Sequence, residues 1–249
     1  MAVPRWLTGL PVAHRGLHER GAGVPENSLA AFRAAADAGY AMELDVRLSA
    51  DDTVMVFHDA RLDRLAGRPG RVIETAAADL RQMHLHDTAE TIPTLADVLA
   101  TVAGRAPLLI ELKNYGNDPV GPLEAGVAAA LADYRGPVAV QSFAPAVVEW
   151  FRRHAPHLPR GQIATKAGEL KELDAPGQHQ LAAWLEAGHG APQFVAYDVG
   201  YLPSPLTIRA RAEGRPVLSW TVRSAAQWAR AKAHADNPIF ENWRPPLHG

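Results

Sequence analysis

The 249 residues contain no cysteine, so disulfides, thiolate metal sites and cysteine nucleophiles are excluded. No apolar run approaches the roughly 18 residues that a membrane span requires. Neither sign of charge dominates: 25 Lys+Arg against 27 Asp+Glu leave a formal charge of -2, which argues against a nucleic-acid-binding or polybasic membrane surface. The familiar nucleotide and hydrolase signatures are missing too, with no GxxxxGK[ST] loop, GxGxxG turn, HExxH pair or GxSxG elbow. The segment Met1-Ala2-Val3-Pro4-Arg5-Trp6 has no apolar core followed by a small-residue cleavage site, so a cytoplasmic location is the expectation. Lysine is scarce, 4 against 21 arginines, which reads as a genomic bias rather than a function.

What is present is punctuation. Twenty Pro and 20 Gly separate short apolar runs, with no low-complexity linker, which favours one continuous domain over 1–249. Strand-like runs occur at Val12–Arg15, Met42–Val46, Leu108–Lys113, Val138–Phe143, Gly161–Ala164, Phe194–Asp198, Val217–Val222 and Ile239–Asn242. Helical patterns at Ser28–Ala38, Leu95–Val102, Leu123–Tyr134, Pro145–His154 and Ala225–His234 lie between most of them. Start signals support these helices: Asn27 or Ser28, Thr94 with Asp97, Ser224 with Gln227, and Pro145 in a first turn. Val54–His58 breaks the alternation. It follows Leu48 too closely for a parallel crossover, so Met42–His58 reads as an antiparallel hairpin across the turn cluster Ser49-Ala50-Asp51-Asp52. Removing that extra strand leaves eight, the count of a (β/α)8 TIM barrel; residues of about 59–92 form a short insertion after strand two. An open doubly wound sheet is the alternative.

Charged residues concentrate where barrel strands end. Strand one ends His14-Arg15-Gly16, strand two carries Glu43-Leu44-Asp45, strand three reads Glu111-Leu112-Lys113, and the hairpin strand ends His58-Asp59. Period-two alternation places Glu43 with Asp45, and Glu111 with Lys113, on shared faces. Taken singly each is ordinary: Glu-x-Asp pairs are usually solvated, and Glu-x-Lys is usually an ion pair. Together, flanked by Leu, Ile and Val, they need a reason to be there. Three neighbouring carboxylates repel one another, and a divalent cation removes that conflict. Oxygen ligands from Glu43, Asp45 and Glu111 suit Mg2+ or Ca2+ rather than zinc. Arg15 and Lys113 beside such a cation suit a phosphate. His14 and His58 then supply a general base and a general acid, in either order, because imidazole titrates near neutrality.

At these residues the sequence resembles the glycerophosphodiester phosphodiesterase family. His14-Arg15-Gly16, Glu26-Asn27-Ser28, Glu43-Leu44-Asp45-Val46, His58-Asp59, Leu62-Asp63-Arg64 and the Gly67–Gly70 stretch carry the likeness. Ile92-Pro93-Thr94-Leu95, Ile110-Glu111-Leu112-Lys113, Gln141-Ser142-Phe143 and Trp220-Thr221-Val222 follow in the family's order. The resemblance implies a (β/α)8 barrel that hydrolyses glycerophosphodiesters to glycerol 3-phosphate and an alcohol, using a divalent metal on Glu43, Asp45 and Glu111. It also implies acid/base chemistry by His14 and His58 and phosphate contacts by Arg15 and Lys113. The substrate's own 2-hydroxyl attacks phosphorus in the family picture, which agrees with the lack of an obvious protein nucleophile. The C-terminal motif departs: where the family has Asp-Gly-Ile-x-Thr-Asp-x-Pro, this chain reads Asn237-Pro238-Ile239-Phe240-Glu241-Asn242-Trp243-Arg244-Pro245.

Around this set, Trp220 divides evenly between packing on a glycerol or alcohol moiety and filling the core. Glu26 and Asn27 are expected to brace the first loop and cap its helix, supporting the site rather than taking part in the chemistry. His18 is expected to be exposed. Arg61, Arg64, Arg68 and Arg71 read as a solvated basic face, and His84 and His86 as surface. His154, His157, His179, His189, His234 and His248 show no pattern. The implied partner is a small phosphodiester, with no nucleic acid and no stable membrane association; the sequence leaves the oligomeric state open. Two rival readings are phospholipase-D-like cleavage of lysophospholipids, which needs an apolar rim hinted at by Trp6, Leu7 and Leu10, and a phosphate-binding barrel that has lost catalysis.

Overall fold

Short apolar strands alternating with amphipathic helices give the chain its architecture in a computed structural model that describes residues 3–114, 119–166, 169 and 190–247. The strands are β1 (Val12–Ala13), β2 (Ala41–Leu48), β3 (Val54–Val56), β4 (Leu108–Leu112), β5 (Val138–Ser142), β6 (Arg160–Ala164), β7 (Phe194–Asp198), β8 (Val217–Val222) and β9 (Asn237–Phe240). Their hydrogen-bonded order is β1-β9-β8-β7-β6-β5-β4-β2-β3, and β1 also pairs with β2. The eight parallel strands therefore close on themselves as a (β/α)8 barrel, with β3 a ninth strand on β2 alone. The expected hairpin is present: β2 and β3 run antiparallel with Val46 opposite Val56 and Leu48 opposite Val54. His179, His189 and His248 lie outside the described residues.

The chain contacts divide into two compact units. The first comprises Met1–Val12, Asn114–Val120 and Ala139–Gly249. Among the described residues its helices are α1 (Trp6–Gly9), α7 (Pro145–His154), α8 (Pro205–Ala212) and α9 (Ala225–His234). Helix α8 was not anticipated, although Ser204 caps it by accepting from the Thr207 N–H and Pro205 stands at its start. Asn237, in the departed C-terminal motif, donates through Nδ2 to the carbonyls of Leu7 at 3.0 Å and Leu10 at 2.6 Å. It ties down the segment before β1. Glu241 pairs with Arg223 at 2.6 Å, and Asn242 follows the strand with φ 55°.

The second unit comprises Ala13–Lys113 and Gly121–Val138. It holds α2 (Leu29–Asp37), α3 (Asp63–Ala66), α4 (Ala77–Leu80), α5 (Leu95–Val102) and α6 (Pro122–Leu131). Ser28, not Asn27, caps α2, and the Thr94–Asp97 capping box opens α5 as expected. The insertion is built on its own apolar cluster: Leu62, Leu65, Leu80 and Leu85 pack with Met55 and Phe57 and are almost wholly buried. At about 1.5–3 kcal/mol for each large apolar side chain removed from water, that cluster fixes α3 firmly to the end of β3.

Candidate active site in the second unit

The ladder brings the acids together. β2 and β4 pair in parallel with Asp45 directly opposite Glu111, and Glu43 opposite Leu109. Glu43, Asp45 and Glu111 are all buried, and each offers a carboxylate oxygen within 4.8 Å of the others. Strand one ends earlier than its apolar run suggested: β1 stops at Ala13, and His14 and Arg15 lie in the turn beyond it. Arg15 takes φ 56° and Gly16 φ 79° there. Gly16 N donates to the Glu43 carbonyl at 3.2 Å, and a Cβ on Gly16 would stand 2.8 Å from Ala31 Cβ. Only glycine allows that approach.

Each acid has a defined environment. Glu43 Oε2 accepts from the Arg15 backbone N–H at 2.9 Å and lies 3.9 Å from His14 Nε2, while Glu43 Oε1 is buried without a hydrogen-bond partner. Asp45 Oδ2 accepts from Asn27 Nδ2 at 2.8 Å and faces Arg15 Nε at 3.3 Å. Lys113 Nζ, just past β4, lies 3.1 Å from Asp45 Oδ1 and 2.5 Å from Glu111 Oε1. Burial, and then Asp45 and Glu111, push the Glu43 carboxyl well above its ordinary value. Burial works against Asp45 ionising as well, but Lys113, His58 and Arg15 outweigh it and hold that carboxyl well down. Burial alone would lower Lys113; Asp45 and Glu111 reverse this and keep its ammonium protonated.

These groups fit a hard divalent cation. The donors are all oxygens, Glu43 Oε1 is buried without a hydrogen-bond partner, and the three carboxylates lie close together with the cations Arg15 and Lys113 beside them. Glu43, Asp45 and Glu111 would hold the ion.

The His58 ring meets Asp59, Nδ1 to Oδ1, at 2.6 Å. Burial opposes ionisation of Asp59, yet hydrogen bonds from His58 and Arg64 pull its carboxyl far below the usual range. An ionised carboxylate can only accept, so the His58 proton sits on Nδ1 and Nε2 is left for chemistry.

Asn27 supports the site as expected, and two residues, Arg47 and Arg64, matter more than the sequence suggested. Asn27, buried and at φ 55°, clamps Asp45 instead of capping a helix. Arg47 donates to the carbonyls of His58 at 2.7 Å and Lys113 at 3.1 Å, tying the ends of the β3 and β4 segments together. Arg64 does not share the solvated role expected of its run: it forks onto Glu26 and Asp59. Arg61 and Arg71 do pair locally, with Asp63 and Glu74. His84 is exposed as expected, but His18 and His86 are half-buried.

Trp220 belongs to the first unit. It meets Phe143 edge-on at 5.5 Å, and its Nε1 is buried without a hydrogen-bond partner. Leu7 is buried and Trp6 and Leu10 half-buried, so these three form no apolar rim. Among the described residues no helix is long and apolar enough to cross a membrane.

Comparison with known proteins gives one consistent result. The profile of the glycerophosphoryl diester phosphodiesterase family matches residues 14–241. A Bacillus subtilis protein, YhdW, is 32% identical over 165 residues, covering 61% of this chain and 64% of its own length. A Mycobacterium tuberculosis protein named "Probable glycerophosphodiester phosphodiesterase 1" is 30% identical over 241 residues, 87% of this chain and 83% of its own. A phosphodiesterase of Oleispira antarctica, solved with the product sn-glycerol-3-phosphate, superposes with a TM-score of 0.78 at 22% identity, over 95% of each chain. At that identity the match speaks for the fold.

Proposed function

The chain belongs to the glycerophosphoryl diester phosphodiesterase family, and from that premise we propose that it hydrolyses glycerophosphodiesters to glycerol 3-phosphate and an alcohol by cation-assisted, two-imidazole catalysis. The observation that carries this reading is the buried Glu43–Asp45–Glu111 cluster, with an unpartnered oxygen and with Arg15, Lys113 and His14 beside it. Mg2+ or Ca2+ held by these three carboxylates would supply positive charge to offset that of the phosphate.

The chain's own groups divide the remaining work. The Arg15 guanidinium and the Lys113 ammonium draw the phosphate in and neutralise its non-bridging oxygens. Asn27 holds Asp45 so that Oδ2 is spoken for and Oδ1 faces the cluster. Asp59 holds His58 with Nε2 available. One imidazole takes the proton of the substrate's 2-hydroxyl as that oxygen bonds to phosphorus. The other protonates the alcohol oxygen as the P–O bond breaks. Water then opens the cyclic phosphate with the two roles reversed, which returns both imidazoles to their starting states. No observation favours the lysophospholipid reading or a barrel without catalysis.

The test is turnover of glycerophosphocholine, glycerophosphoethanolamine and lysophosphatidylcholine, first in EDTA and then with Mg2+ or Ca2+ restored. Cation-dependent release of glycerol 3-phosphate from the two small diesters is the expected result. Turnover of the lysophospholipid alone, or undiminished turnover in EDTA, refutes it.

A further inference from the structure

Arg64 stands on α3, outside the cation cluster, yet its guanidinium touches both arms of the site. Nη1 and Nη2 donate to Glu26 Oε2 and Oε1 at 2.9 and 2.8 Å. Nε and Nη2 donate to Asp59 Oδ2 and Oδ1 at 2.6 and 3.0 Å. Four of the five guanidinium N–H donors are thus spent on two forks set at an angle. Each acid reaches onward. Glu26 Oε1 also accepts from Arg15 Nη1 at 2.5 Å, and Asp59 Oδ1 meets His58 Nδ1 at 2.6 Å.

We propose that Arg64 is a positioning residue that locks the phosphate-binding Arg15 and the acid/base His58 into one rigid frame. A surface ion pair would be the plain alternative, and such pairs contribute little. Two observations oppose it. The acids are sheltered: the side chains of Glu26 and Asp59 are 14% and 23% exposed, against 46% for Arg64 itself. Arg64 is also mounted rigidly, because its neighbour Leu65 is wholly buried in the insertion's apolar cluster. Burial opposes ionisation of Glu26, yet the Arg64 hydrogen bonds, followed by Arg15, bring its carboxyl down to about 2. Glu26 is therefore a fixed anion between two guanidinium groups. Lysine could not replace Arg64, since an ammonium presents its donors from one point and cannot span both forks.

Arg64→Ala tests this, with turnover interpreted through the functional reading above. The expected loss in kcat/KM is roughly 10- to 100-fold, the scale on which a small misplacement of reacting groups acts. Arg64→Lys should recover little of it. Added methylguanidinium should restore the Ala variant and leave the wild type unchanged. The rise in Tm on adding Mg2+ or Ca2+ should persist in both variants, because Arg64 touches none of the three candidate ligands. A loss below threefold, full recovery in Arg64→Lys, or a cation-induced rise present in the wild type but missing in the variants each overturns the proposal. Two-bond 1H–15N correlation of His58 gives a readout free of turnover: the Nδ1-protonated tautomer should dominate in the wild type and fall in Arg64→Ala. A wild type that cleaves no glycerophosphodiester would refute the function, not this inference. An unchanged His58 tautomer would then refute the inference itself.

Discussion

Replacing Glu43 by Gln should raise stability without a cation and forfeit most of the stabilisation that a cation brings. Glutamine keeps the shape and removes the charge. In the ion-free protein Glu43 is buried beside Asp45 and Glu111, with oxygens within 4.8 Å. Two like charges at that separation cost about 3.5 kcal/mol at an effective dielectric constant of about 20. Lys113 and the Arg15 N–H offset part of this, and the upward shift of the Glu43 carboxyl limits the rest. A net gain of about 1–3 kcal/mol for the Gln variant is reasonable, the scale of one unsatisfied buried polar group. For a chain of this size it corresponds to a rise in Tm of roughly 2–12 °C. Adding a cation at about 100 times its Kd contributes about 2.7 kcal/mol to the wild type. The variant, with two carboxylates left, should gain less than about 1 kcal/mol at the same concentration. The variant's advantage over the wild type therefore shrinks by more than about 1.5 kcal/mol between EDTA and Mg2+ or Ca2+ at that concentration, and it inverts where the advantage in EDTA is smaller than this. Thermal unfolding followed by circular dichroism reads it directly. A variant that is less stable in EDTA, and gains as much from the cation as the wild type, would show that the three carboxylates are not in conflict and that Glu43 is not a ligand.

Three further expectations follow from the same geometry. The carboxyl of Glu26 is lowered from 4.5 to about 2, so its stabilisation is complete above about pH 4.5 and is lost as the pH falls towards 2. The gap in urea midpoint between wild type and Glu26→Gln should shrink across that window, and a constant gap would refute the Glu26 ion pairs. Gly16→Ala places a Cβ 2.8 Å from Ala31 Cβ at φ 79°, and should cost about 1–3 kcal/mol in denaturant unfolding; a neutral result would mean the turn after β1 is looser than described. His14→Ala and His58→Ala should each lower kcat by roughly 10²–10⁴ while leaving the cation-induced Tm rise in place, and losses below tenfold in both would sink the two-imidazole scheme.

The parts of the site that were legible in the sequence are those fixed by local rules. Glu43, Asp45 and Glu111 stand out because a charge between apolar neighbours on a strand has nowhere inexpensive to go, and alternation puts Glu43 and Asp45 on one face. The hairpin was legible because too few residues separate Leu48 from Val54 for any crossover. Less was legible where an element is brief. Two residues of β1 satisfy the ladder, so His14 and Arg15 owe their placement to a left-handed turn that an apolar run does not announce. Pairing was harder still. Arg61 and Arg64 look alike three residues apart in one basic run, but Arg61 meets Asp63, an exposed acid two residues away, whereas Arg64 meets Glu26, thirty-eight residues away. The difference lies in the folded partners. Glu26 is fixed by the loop beyond β1, and Arg64 by the Leu62–Leu65 packing of the insertion. Neither anchor is local to the pair it creates. The insertion's apolar cluster therefore does more than fill space: by holding α3 against the end of β3 it sets which of several equivalent arginines can reach the two acids that brace Arg15 and His58.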